Sequence, residues 1–300
     1  MFSLIARRAL FRGPARLRAC HLHTPSSPPH AYLQPLLSSL PASETSEELE
    51  GVMTLVMDRK QTRNALSVQM VSELREGIAR VSADRSARVL LLHTPHPAVF
   101  CSGADLRERL SMSATAVSDF LTSLRSLLSE LEALAIPTIA VIDGPALGGG
   151  CELALGCDLR VGGEGAIMAL PEAKLGIIPG AGGTQRMTKL VGESRTKELV
   201  YTGRRIGGEE AERIAGLLNF HARSPETAHS QTLLLCRQIV TSAPLSLAVA
   251  KKAINAAPYL PLEEGLTLER TLYDTLLETE DRLEGLKAFR EKRRAKFVGR

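Results

Sequence analysis

The chain has 300 residues, 44% hydrophobic and 23% charged, with 37 Lys+Arg against 33 Asp+Glu for a formal net charge of +4. That balance suits a folded protein with a sizeable core and excludes a disordered one. No run of 18 apolar residues predicts a membrane span, and the five cysteines form no CxxC pair, so zinc spacing and a disulfide framework are not expected. A reduced intracellular compartment is the expectation.

The positive charge is concentrated at the start. Residues 1–43 hold Arg7, Arg8, Arg12, Arg16 and Arg18 and no acid, because the first acidic residue is Glu44. Without those five arginines, residues 44–300 carry −1. An acid-free, Arg-rich start predicts a mitochondrial transit peptide, and Arg7 and Arg8 interrupt the apolar stretch a secretory signal needs. Residues 1–43 are therefore expected to be transit peptide and linker, with the linker over 25–43. A core over 44–243 and a helical region over 244–300 follow.

Strands and helices then alternate. Val52–Met57 reads as a strand, and Ser67 is placed to cap a helix running to Val81, with Leu66 as the staple residue before it. Val89–Leu92 is an apolar run of the kind buried on both faces of a parallel sheet. A long helix over about Ser113–Ala135 stops before Pro137. Thr138–Ile142 is strand-like, Ala146 to Gly150 leads into a helix over Cys151–Gly156, and Leu159–Val161 is a further strand. This rhythm predicts an α/β core. Leu245–Ala256, Pro261–Glu278 and Asp281–Lys292 read as helices that cover their own core or meet neighbouring subunits.

Two glycine-bearing turns follow buried strands: Phe100-Cys101-Ser102-Gly103-Ala104-Asp105-Leu106 and Gly148-Gly149-Gly150-Cys151-Glu152. Amides at such turns have no intrahelical partner and can hold an oxyanion where two converge. Three glycines also serve a plain tight turn. The spacing is neither GxGxxG nor a Walker loop, which disfavours a nucleotide-phosphate site. Glu152 follows Gly149 by about one helical turn and Glu172 follows Pro171. Around one pocket the pair can share acid and base work, and singly each is an ordinary helix-start glutamate. Cys151 and Cys157 have no histidine beside them in sequence and read as packing residues, and His93 and His96 carry no assigned role.

Gly103-Ala104-Asp105, Ala146-Leu147-Gly148-Gly149-Gly150-Cys151-Glu152-Leu153-Ala154, Pro171-Glu172 and Ile178-Pro179-Gly180-Ala181-Gly182-Gly183-Thr184-Gln185-Arg186 stand in the order and spacing of the enoyl-CoA hydratase/isomerase (crotonase) family. The resemblance spans roughly Gly51 to Arg300, including Asn64-Ala65-Leu66 and Asp281-Arg282-Leu283-Glu284-Gly285. Within the family the chain resembles the mitochondrial short-chain enoyl-CoA hydratases and methylglutaconyl-CoA hydratases. The resemblance implies a crotonase-like spiral of ββα repeats, with C-terminal helices that build trimers or hexamers.

The resemblance also implies an oxyanion hole from the amides of Ala104 and Gly149, and catalysis by Glu152 and Glu172 with their division of labour open. The reaction implied is addition of water to a short or branched enoyl-CoA in the mitochondrial matrix. It needs no metal or redox cofactor, coenzyme A being part of the acyl-CoA substrate. Ala65, Asp105, Leu106, Arg107 and Gly180 fall at positions that line the substrate path. Asp105 reads equally as a helix cap, and the amides after Gly180 resemble an anion nest that borders the acyl and water site. Lys287, Phe289 and Lys292 are placed either to reach a neighbour's CoA or on a solvated face.

A Δ3,Δ2-enoyl-CoA isomerase is the alternative reaction. A third reading is RNA binding, because some methylglutaconyl-CoA hydratases carry a basic helix for AU-rich RNA. The comparable arginines here, Arg75, Arg80, Arg85 and Arg88, are interleaved with Glu76 and Asp84 and read as a solvated face, so no RNA partner is expected.

Overall fold

Short apolar runs with both faces dry need layers on either side, and the arrangement along the chain supplies them. The computed structural model describes residues 28–300 except 42, 43, 45 and 215. In chain order come β1 (Ala31–Pro35), β2 (Val52–Met57), α1 (Val68–Ala83), β3 (Val89–His93), α2 (Leu106–Leu110), α3 (Ala114–Ala133), β4 (Thr138–Ile142), β5 (Pro145–Leu147), α4 (Gly149–Leu155), β6 (Leu159–Gly162) and β7 (Ile167–Ala169). They are followed by α5 (Gly183–Val191), α6 (Glu193–Thr202), β8 (Ile206–Gly207), α7 (Gly208–Arg213), β9 (Phe220–His221), α8 (Ala228–Ile239), α9 (Pro244–Ala256), α10 (Leu262–Asp274) and α11 (Glu280–Arg290).

The larger sheet has the order β1-β2-β3-β4-β6-β9, parallel except for the antiparallel β1–β2 pair. A smaller sheet, β5-β7-β8, is extended by single bridges between Leu66 and Ala104 and between Cys101 and Ala146. Strands β2, β3, β4 and β6 are each followed by a short extended segment in the second layer and then a helix, as in β4–β5–α4. Repetition of that unit is the expected spiral of ββα turns. Side chains alternate across the large sheet: Leu90, Leu92, Ala140 and Ile142 enter the core beneath α1 and α3. Val89, Leu91, Ile139 and Val141 enter a second core, closed by Leu233 and Cys236 of α8.

The helix starts at Ser67 and Ser113 are as expected, each hydroxyl accepting from the amide three residues on (Met70, 3.1 Å; Ala116, 3.2 Å). The linker expectation for residues 25–43 is corrected by β1, which pairs with β2 from Ala31–Met57 to Pro35–Met53. Pro35 ends an edge strand, the place in a sheet where a missing N–H does least harm. The transit-peptide reading falls mostly on residues 1–27, outside the described residues.

The helix expected over Leu245–Ala256 is α9, which starts one residue earlier at Pro244. Lys251 of α9 binds Asp158 (2.8 Å) and the carbonyl of Ile136 (3.1 Å) in the core. Buried Asp281 folds the last residues back by accepting from the amides of Val298 (2.7 Å) and Gly299 (3.0 Å). No side chain of α9 or α10 is buried, however, and Leu262, Leu266 and Tyr273 face solvent. No single helix among the described residues is long and apolar enough to cross a membrane. Of the arginines weighed for RNA, Arg75 is bidentate to Glu130 and Arg88 donates to the carbonyls of Val240 and Ser242.

Candidate active site

The site forms where the second-layer segments end and their helices begin. Leu66 donates to the carbonyl of Gly103 (2.8 Å) and accepts from the amide of Asp105 (3.1 Å). Alternation along the strand therefore turns the intervening Ala104 N–H the other way, toward the start of α4. Gly149 is the first residue of α4, so its N–H has no partner within the helix. The two amides are neighbours: a Cβ placed on Gly149 would lie 3.6 Å from the Ala104 nitrogen. Among the described residues neither N–H has a backbone acceptor.

Two glycines are indispensable to this approach. Gly148 has φ 54° and ψ −123°, and a Cβ there would meet the Glu172 Oε1 at 2.9 Å. Gly103 has φ 90°, and its Cβ would stand 2.8 Å from the Leu147 carbonyl oxygen. Both conformations are ones that side chains resist.

The two glutamates sit in one cavity of about 610 Å³, together with Ala104, Gly149, Leu106 and Gly180. That volume is ordinary for a small-molecule site. Glu152 projects from α4, and its Oε1 accepts from the amides of Ala181 (2.8 Å) and Gly183 (2.7 Å). The anion held in the glycine nest is thus the protein's own carboxylate. Burial pushes the Glu152 carboxyl up, while those two amides and the charges of Arg186 and Arg125 pull it back. Glu172 stands on a single 3-10 turn, Glu172–Leu175, and its Oε2 is buried with no hydrogen-bond partner. Burial, reinforced by the charge of Glu152, pushes it up to about 7.

Arg186, one turn into α5, donates to Glu132 of α3 (2.7 and 2.8 Å) and to the carbonyl of Ala181 (2.8 Å). It fastens the nest to α3 beneath Glu152.

The remaining expected residues lie off the cavity wall. Asp105 caps α2 by accepting from the amides of Arg107 and Glu108 and pairs with Arg59 at 2.7 Å, so its carboxylate is fully engaged in structure. Ala65 is buried, and its carbonyl accepts from Arg59. Arg107 is exposed, and Arg109, two residues on, lines the cavity instead. Residues two apart on a helix point some 200° apart, a difference invisible to motif matching. The neighbouring Asn64 organises the loop from within, bonded to the Arg59 amide, Thr94 and the Phe100 carbonyl. The apolar wall, Val117, Phe120, Leu121, Leu124, Ile177 and Ile178, comes from α3 and the loop before α5 and was not read from the sequence.

Cys101 and Cys157 are buried, their thiols pushed up to about 12, and Cys151 is pushed up further, which suits packing residues and no nucleophile. Among the described residues no cluster of metal-ligating side chains occurs. A larger groove of about 990 Å³ lies between α1 and the C-terminal tail, remote from both glutamates, and carries Arg85, Arg88 and Arg294 against Glu47 and Glu48.

A spiral of ββα turns that aims two free amides at a pair of buried carboxylates defines a protein built to polarise a carbonyl beside acid–base groups. The chain belongs to the enoyl-CoA hydratase/isomerase family, whose model matches residues 47–300. It is 47% identical over 249 residues to the probable enoyl-CoA hydratase 2, mitochondrial, of Arabidopsis thaliana, covering 83% of this chain and 82% of that one. It is 40% identical over 255 residues to the methylglutaconyl-CoA hydratase, mitochondrial, of Mus musculus, covering 84% and 81%. The crystal structure of an enoyl-CoA hydratase from Bacillus anthracis superposes with a TM-score of 0.81 at 38% identity, over 84% of this chain and 96% of that one.

Proposed function

We propose that the protein adds water across the α,β double bond of a short or branched enoyl-CoA, crotonyl-like or methylglutaconyl-like. One observation carries the reading: two glutamates, one held by two backbone amides and the other with a buried oxygen that has no partner, share a cavity with two unpaired amides. The Ala104 and Gly149 N–H groups receive the thioester oxygen, where negative charge grows as the double bond is attacked. Glu152, held as a carboxylate by the nest, takes a proton from water as its oxygen bonds to Cβ. Glu172, protonated up to about pH 7, gives its proton to Cα. The double-bond electrons pass toward the thioester oxygen and return to form the new C–H bond. Proton exchange with solvent then restores both glutamates.

Gly180 and Leu106 border the acyl path in this reading, and Arg107 stands outside the cavity. A mitochondrial, matrix location accords with the acid-free leader and with the names of the relatives. Assembly into trimers or hexamers accords with the uncovered apolar side chains of α10.

The test is the absorbance of the conjugated thioester. Purified protein is expected to bleach it with crotonyl-CoA or 3-methylglutaconyl-CoA, and failure across a panel of enoyl-CoAs would sink the reading. Formation of a conjugated product from a 3-enoyl-CoA, without hydration, would make it an isomerase.

A further inference from the structure

The cavity contains a cation that neither the oxyanion hole nor the glutamate pair uses. Arg109, on α2, reaches the apolar wall and lies with its guanidinium carbon 5.2 Å from the centre of the Phe120 ring. Its Nη1 is buried and has no hydrogen-bond partner, and among the described residues no carboxylate pairs with it. The two acids beside it in sequence are engaged elsewhere, Asp105 with Arg59 and Glu108 with the Val68 amide. A guanidinium kept among Val117, Phe120, Leu121 and Leu124 without a partner is expensive unless an anion arrives there.

The position of that cation within the cavity selects the anion. Arg109 enters the cavity from α2 against Phe120 of α3, whereas Glu152 enters from α4 and Glu172 from its own 3-10 turn, so the cation and the glutamate pair come from different walls. With the thioester oxygen on Ala104 and Gly149 and the double bond between the glutamates, atoms beyond Cβ run against the α3 wall, where Arg109 is half-buried and its Nη1 is fully enclosed. Arg125, the other arginine on the wall, is exposed.

We propose that Arg109 receives a second carboxylate at the far end of the acyl group, so that the preferred substrates are enoyl-CoA thioesters of dicarboxylic acids. A planar guanidinium pairs with a carboxylate through two parallel hydrogen bonds, and the aromatic face of Phe120 holds the guanidinium plane in place. The inference rests on the hydratase reading for its reaction and on Arg109 for its selectivity, and the two are separable.

The experiment compares glutaconyl-CoA with crotonyl-CoA in turnover, and their unreactive saturated counterparts, glutaryl-CoA and butyryl-CoA, in calorimetric binding. The wild type is expected to favour the carboxylated member of each pair. Arg109→Met is expected to collapse both preferences by roughly tenfold to a hundredfold, the loss of a charge-assisted pair. Arg109→Lys should restore part of each, with circular dichroism checking the fold of both variants. Equal losses for carboxylated and neutral thioesters would overturn the proposal and assign Arg109 to the CoA moiety or to packing. No binding preference in the wild type would overturn it too. A binding preference that Arg109→Met abolishes, without turnover of either enoyl-CoA, would remove the hydratase reading and leave the carboxylate site standing.

Discussion

Glu172 shows at the scale of one residue how the site trades stability for reactivity. Its Oε2 has no partner, and burial pushes the group up to about 7 from an ordinary 4.5. A folded-state value above the unfolded one means the folded protein binds the extra proton. That contribution to stability is complete below about pH 4.5 and is lost as pH rises through about 7, at most roughly 3 kcal/mol before screening by cavity water. Glu172→Gln removes this dependence, so the variant is expected to melt above the wild type at pH 8 and to close the gap at pH 5. The same substitution removes the proposed proton donor and should lower turnover by about a hundredfold to ten-thousandfold. In the wild type kcat/KM should fall above about pH 7 as Glu172 ionises, a limb absent from the residual activity of Glu172→Gln. Wild-type kcat/KM that keeps rising from pH 7 to 9 would show that Glu172 does not act as the acid.

At the scale of elements, Glu152 depends on a joint between α4, α3 and the loop into α5. The Ala181 and Gly183 amides hold the carboxylate, and Arg186 holds that loop to Glu132. Arg186→Met breaks the joint and removes a charge that lowers the Glu152 pKa. With Glu152 as the proposed base, the low-pH limb of kcat/KM is expected to move to higher pH, with KM changing less than kcat. An unmoved limb in a folded variant would reduce Arg186 to a packing residue. Much of this architecture was legible in the sequence, because helix starts at Ser67 and Ser113 and dry strands such as Val89–Leu92 are local chemistry. The two amides and two glutamates were legible through their motifs. Contacts at long separation were not: the nest binds a carboxylate 29 and 31 residues away, and the choice of Arg109 over Arg107 depends on how a five-residue helix is turned. β1 escaped notice because its pattern of mostly half-buried side chains lacks a strand's apolar run. The segment holding α5 to α8 was likewise unread, although the second face of the large sheet requires a helix such as α8.

At the scale of the whole molecule, α10 carries an apolar stripe that its own chain leaves uncovered. Leu262, Leu266 and Tyr273 are separated by four and seven residues, which brings them within about 40° of one another on the helix. Their exposures of 75%, 48% and 55% would be a wasteful arrangement for a chain that stayed alone, since each such side chain gains about 1.5–3 kcal/mol when buried. The helix meets its own core through α9, which the Lys251–Asp158 bridge ties down, and through the turn before it, where Tyr259 meets Lys189 of α5. A change on its outer face therefore leaves the catalytic cavity, which α2 to α5 supply, structurally intact. The wild type is expected to sediment as a trimer or hexamer at micromolar concentration. A Leu262→Glu/Leu266→Glu double variant should sediment as a single chain, with unchanged circular dichroism, because charge on that stripe opposes burial without removing any core contact. A wild type already monomeric at high micromolar concentration, or a double variant that still assembles, would show that α10 is not the assembling face.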